Sequence, residues 1–70
     1  MKMDYPEQLL KYFEYEHLPP KLQATSILFH NLAWELVRLP RCAERTTALR
    51  KLLEAKDAAV RATMETETND

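Results

Sequence analysis

The chain has 70 residues, with ten Lys or Arg against eleven Asp or Glu for a formal net charge of −1, a single cysteine and no glycine. That length allows one domain, and the near-neutral balance argues against a general binder of DNA or RNA polymers, which carries an excess of basic residues on one face. The missing glycines remove every glycine-rich phosphate loop, the lone cysteine forbids an intrachain disulfide, and no apolar run reaches the ~20 residues of a membrane span.

Met1 to Asp4 is expected to fray. A short helix is expected over residues 5–16, because Pro6 followed by Glu7 suits a first helical turn. Leu9, Leu10, Phe13 and Tyr12 are its apolar residues, and so short a helix must dock on the rest of the chain to persist. His17-Leu18-Pro19-Pro20 then reads as an extended elbow, since the residue before a proline is driven out of the helical region.

A long first arm is expected over residues 20–39, with Pro20 at its start, where a missing amide proton costs nothing. Leu22, Phe29, Leu32, Ala33, Leu36 and Leu39 recur at three- and four-residue steps, the spacing of one helical face. Thr25 and Ser26 lie within this arm and are expected to bond back to the preceding turn. Pro40-Arg41-Cys42 is too short a link to lead anywhere except straight back, so the second arm, expected over residues 43–64, runs antiparallel to the first. Ala48, Leu52, Ala55, Ala59 and Ala62 form one seam on it, flanked by Leu49, Leu53 and Val60. Residues 65–70, ETETND, are expected to be a disordered tail.

The fold class is therefore all-α: a short N-terminal helix, a Pro-Pro elbow and a long antiparallel two-helix hairpin. Ile27, Leu28 and Trp34 fall outside the first arm's stripe, and Leu53 and Val60 widen the second's. This is more apolar surface than two helices cover for each other, so a homo-oligomer is expected. The start MKMDYPEQ has no signal-peptide core, so the expected location is the cytoplasm.

Residues for catalysis are sparse. The two histidines, His17 and His30, stand in no metal-ligand spacing, and Cys42 has no ligand partner nearby in sequence. At a rise of ~1.5 Å per residue, His17 and His30 lie roughly 30 and 15 Å from the hairpin turn, too far for a Cys-His pair within one chain. No enzyme, metal or cofactor is expected; a binding module is.

The run Tyr15-Glu16-His17-Leu18-Pro19-Pro20-Lys21, the Leu32-Ala33 of the first arm, a proline turn, and the run from Ala43 to Ala55, AERTTALRKLLEA, resemble the small helical-hairpin family of phage anti-CBASS sponges, a domain shared with the Thoeris anti-defence sponges. The resemblance covers residues 13–62. It departs from the family pattern at Leu18, which separates His17 from the prolines, at Arg50, and at Asp57-Ala58. The resemblance implies a protein that traps cyclic oligonucleotide second messengers, cyclic dinucleotides or trinucleotides, without cleaving them, in the cytoplasm of the host cell. It also implies a symmetric hexamer with ligand pockets between chains.

A cyclic dinucleotide needs flat surfaces for its bases and cations or hydroxyls for its phosphates. Tyr15, His17 and Lys21 at the elbow and Arg45 and Thr46 at the start of the second arm are the expected ligand-binding residues. The arms being antiparallel, the two groups share a pocket only across a subunit boundary, or else form two pockets. On the opposing reading, Tyr15 packs under the elbow and Arg45 is a solvated cation. A rival function is a small oligomeric regulator that binds a host protein through the hairpin. A helix-turn-helix DNA binder would want a basic second arm, and this one is close to neutral.

Overall fold

The computed structural model describes residues 5–68; the expected frayed start at residues 1–4 and the last two residues of the chain lie outside it. The described chain is helical, with three elements in the order η1 (Gln8–Phe13), α1 (Pro20–Leu36) and α2 (Ala43–Thr68) and no strand among the described residues. The long helices pack against each other, and η1 lies against both.

The first element is shorter and tighter than the helix expected over residues 5–16. It is a six-residue 3-10 helix bounded by extended backbone at Glu7 (φ −145°, ψ 127°) and Glu14 (φ −63°, ψ 144°). Short 3-10 segments suit a stretch whose position is set by docking rather than by its own hydrogen bonds. Leu10 and Phe13 are fully buried, while Tyr12 stays half exposed. The whole stretch from Tyr5 to Glu16 thus acts as a strap across the hairpin. Lys56 Nζ of α2 donates to Tyr12 O at 2.7 Å and holds the strap's middle. At the elbow, Leu18 N–H bonds Tyr15 O at 3.0 Å, and Gln23 Nε2 donates to Leu18 O at 2.7 Å and Glu16 O at 3.2 Å.

Helix α1 opens at Pro20 as expected, with Pro19 O accepting from the amides of Leu22 (2.9 Å) and Gln23 (3.0 Å). It stops at Leu36, three residues before the expected Leu39. Pro40 supplies the reason: its ring clashes with a helical carbonyl four residues back, which is that of Leu36. The chain unwinds through i→i+3 bonds, Arg38 N–H to Glu35 O (3.1 Å) and Leu39 N–H to Leu36 O (3.0 Å). With no glycine in the chain and no positive φ among the described residues, a left-handed cap is not used.

Helix α2 begins at Ala43 as expected, with Thr46 N–H bonding Cys42 O at 3.2 Å and Glu44 in its first turn, where the helix dipole favours an anion. It runs to Thr68, four residues past the expected Met64. No breaker stands in that stretch, and added turns continue a helix already nucleated by packing.

The core is Leu10, Phe13, Ala33 and Leu49, ringed by Tyr5, Leu9, Phe29, Leu36, Val37, Leu52 and Leu53. The inward stripe of α1 is Leu22, Ser26, Phe29, Ala33 and Leu36, at steps of four, three, four and three. Leu32 and Leu39, expected on that face, are about half exposed, and Leu28 is more exposed still. On α2 the inward side carries Arg45, Leu49, Leu52, Lys56, Ala59 and Thr63, whereas Ala55 and Ala62 of the expected alanine seam face outward. Thr25 does not bond back to its own helix in the way expected: its hydroxyl meets that of Thr63 at 2.7 Å. Thr63 Oγ1 also donates to Ala59 O at 3.0 Å, so Thr25 is the donor between the two hydroxyls. Ser26 Oγ is buried with no partner in the chain.

The molecule measures 43 × 29 × 14 Å. The strap covers one side of the hairpin, where Leu10 and Phe13 close the core.

Candidate functional site

The strap and α1 enclose a cleft of ≈ 330 Å³ lined by Tyr5, Leu10, Glu14, Tyr15, Glu16, His30 and Trp34. The strap forms one wall, with Tyr5 and Tyr15 carried by the extended residues on either side of η1. Helix α1 forms the other, with His30 and Trp34 one turn apart on one side of the helix. Tyr15 stands edge-on to His30, ring centroids 5.0 Å apart at 71°, and the His30 and Trp34 rings are 6.3 Å apart at 51°. Such tilted arrangements suit the ring quadrupoles and leave faces open toward the cleft. The Tyr5 hydroxyl donates to the Glu14 carboxylate, closing the strap on itself. His30 Nδ1 is buried and has no partner among the described residues. A buried polar atom without a partner is uncommon in a folded protein, and a ligand is one of the ways such an atom is satisfied.

Chemically, the cleft offers aromatic rings and two carboxylates. A planar heterocycle can stack here. Carboxylates accept hydrogen bonds from exocyclic amino groups and ring N–H edges of a base.

Of the five expected site residues, Tyr15 alone lines the cleft. His17 and Lys21 lie exposed on either side of the Pro-Pro elbow, close to it in the chain but outside the cleft lining. Thr46 is half-buried in the first turn of α2, also outside it.

Arg45 is placed differently from both sequence readings. It is 7% exposed, so it is not a solvated cation, and its guanidinium is bound within its own chain. Nη1 donates to Val37 O at 2.8 Å and Leu39 O at 3.2 Å, and Nη2 pairs with Glu7 Oε1 at 3.1 Å. Nε has no partner. The guanidinium fork matches carbonyls left open where α1 unwinds before Pro40, so an arginine caps a helix end that no glycine is present to cap. The same side chain anchors the strap through Glu7. These bonds occupy both terminal nitrogens, which a phosphate would otherwise take.

His30, Trp34, Tyr5, Glu14 and Glu16 were not singled out as site residues from sequence. The available signal was the four-residue spacing of His30 and Trp34, which places both on one side of α1. Their convergence with Tyr5 and Tyr15 depends on the strap folding back along α1, which local sequence does not reveal.

Among the described residues no group of three or more His, Cys, Asp or Glu side chains is arranged to hold a metal ion, and no helix is long and apolar enough to cross a membrane. Cys42 is exposed in the hairpin turn as a free thiol. Comparison with family models, with curated proteins and with solved structures finds no match.

Proposed function

We propose that this chain is a phage anti-defence protein that binds and sequesters cyclic oligonucleotide second messengers without cleaving them, in the cytoplasm of the infected cell. The observation that carries the reading is the aromatic cleft between strap and α1, where Tyr15, Trp34 and the unpartnered His30 converge. Bases stack on such faces whatever their identity, at about 1–3 kcal/mol per base. Glu14 and Glu16 accept from amino edges, and the Tyr15, His30 and Trp34 rings supply the stacking surfaces. Lys21, in the first turn of α1, meets phosphate with His17 beside it. The resemblance of residues 13–62 to the anti-CBASS hairpins supports the same reading from the sequence side.

A cleft of ≈ 330 Å³ is at the small end of ligand sites, enough for one base and its sugar rather than a whole cyclic dinucleotide. The second base belongs in the cleft of another copy. The exposed apolar residues favour that assembly: Leu28, Leu32 and Trp34 on α1 and Leu39 just beyond it are left uncovered. The proposed state is a homo-oligomer, a hexamer by resemblance, and light scattering then gives a multiple of the 8.3 kDa chain mass.

Thermal unfolding with and without 3′,3′-cyclic di-AMP tests the function. A ligand at one hundred times its Kd adds about 2.7 kcal/mol of stability. Heat denaturation afterwards must return the ligand unchanged. A linear or hydrolysed product would make the protein an enzyme. No shift with any cyclic di- or trinucleotide would leave the host-protein regulator as the better reading.

A further inference from the structure

The strap forms one wall of the cleft, yet few bonds hold it in place. Its middle is anchored by Leu10 and Phe13 in the core and by Lys56 on Tyr12 O, and its far end by Gln23 at the elbow. The near end, where Tyr5 enters the cleft, has one polar tie to the hairpin among those described here: Glu7 to Arg45, with side chains 16% and 6% exposed. Arg45 is itself fixed by two carbonyls of the turn that ends α1. Glu7 therefore meets a guanidinium whose position is already set. A charged pair this sheltered is sensitive to loss of either member, since the remaining charge stays out of water without a partner. Neither residue lines the cleft.

We infer that Glu7 and Arg45 are positioning residues for the ligand site: their ion pair latches the start of the strap to the hairpin turn and so sets Tyr5 as a wall of the cleft. This rests on the reading of the cleft as the ligand site. Glu7 and Tyr5 are two residues apart with only Pro6, whose φ is fixed, between them, so displacement of one displaces the other. Tyr5 in turn holds Glu14 through its hydroxyl, and Glu14 precedes Tyr15. Release of the latch opens the cleft from the Tyr5 side and lowers the fraction of molecules with a complete site, which weakens apparent affinity in proportion.

Glu7 is the residue to change, because Arg45 also supports the helix end and its loss would disturb the hairpin directly. Trp34, the sole tryptophan, lines the cleft and reports its opening. Glu7→Ala and Glu7→Gln are compared with the parent in the full chain by far-ultraviolet circular dichroism, Trp34 emission and calorimetric titration with 3′,3′-cyclic di-AMP. Glu7→Ala is expected to keep the helix content of the parent, shift Trp34 emission to the red and bind about tenfold more weakly. Glu7→Gln keeps an oxygen acceptor for Arg45 and recovers part of both effects, which general destabilisation would not produce. Parental emission and affinity in Glu7→Ala would overturn the inference, as would a shifted emission with unchanged affinity. Should the parent not bind cyclic di-AMP, the proposed function fails at this probe. The latch is then decided by Trp34 emission alone, a red shift in Glu7→Ala supporting it and no shift overturning it.

Discussion

The hairpin turn and the aromatic cleft each bury polar groups, and they treat them in opposite ways. At the turn, the terminal nitrogens of Arg45 meet three oxygens of their own chain, two from the end of the first arm and one from the strap. Beside the cleft, the His30 ring lies against those of Tyr15 and Trp34, and its buried Nδ1 has no hydrogen-bond partner among the described residues. Hydrogen-bonding capacity consumed internally holds a fold together, whereas a ring nitrogen left over beside an opening meets a ligand only once the ring turns toward the cleft. An arginine at a helix start and a histidine in mid-helix thus exchange the roles that residue type alone would give them.

The sharpest way to break this contrast is to remove Arg45. Arg45→Ala leaves the Glu7 carboxylate poorly exposed and two turn carbonyls without their donor. The expected loss is about 3–5 kcal/mol, the usual cost of removing one member of a buried pair, read as a lower midpoint in urea unfolding. In a chain of this size that is a large share of the total. A midpoint within error of the parent's would mean that Arg45 does not hold the turn.

Tyr15→Ala probes the other region. The prediction is a loss of about 1–3 kcal/mol in affinity for a cyclic dinucleotide with the helical fold retained. If Arg45→Ala and Tyr15→Ala both acted mainly on stability, the two regions would not differ as described.

Thr63 serves as a control between them. Thr63→Val removes the bond with Thr25 and the one to Ala59 O while keeping the shape, and should cost about 1 kcal/mol in unfolding with no effect on ligand. The smallest effect belongs to the exposed Arg38–Glu35 pair, 3.1 Å apart on the surface, where Glu35→Ala should change stability by about 0.5 kcal/mol or less.

Much of the fold was legible because it depends on local rules. Pro6, the Pro19-Pro20 pair and Pro40 separate the elements, and the short link after Pro40 makes the long helices antiparallel. The starts of α1 and α2 fall where expected. The end of α1 was misplaced by three residues because Leu39 continues the apolar spacing, although the ring of Pro40 reaches back to Leu36. The alanine seam misled in a similar way. Helical periodicity permits several faces, and Lys56 and Thr63 face inward because they bond Tyr12 and Thr25, partners distant in sequence.

The candidate site was less legible. Tyr15 was identified from the elbow, but its neighbours Tyr5, His30 and Trp34 come from two segments joined only by the path of the strap. Arg45 looked like a phosphate ligand because a helix start is a common anion site. Nothing local to residues 43–47 reveals that Glu7, 38 residues away, occupies it.

The central claim, that the cleft beside Trp34 takes a base of a cyclic nucleotide, is tested most directly by titrating 3′,3′-cyclic di-AMP against the fluorescence of Trp34. The account predicts a saturable change in emission whose midpoint moves to about 5–150-fold higher ligand in Tyr15→Ala. Emission that stays flat up to millimolar ligand, with the protein folded, would contradict it.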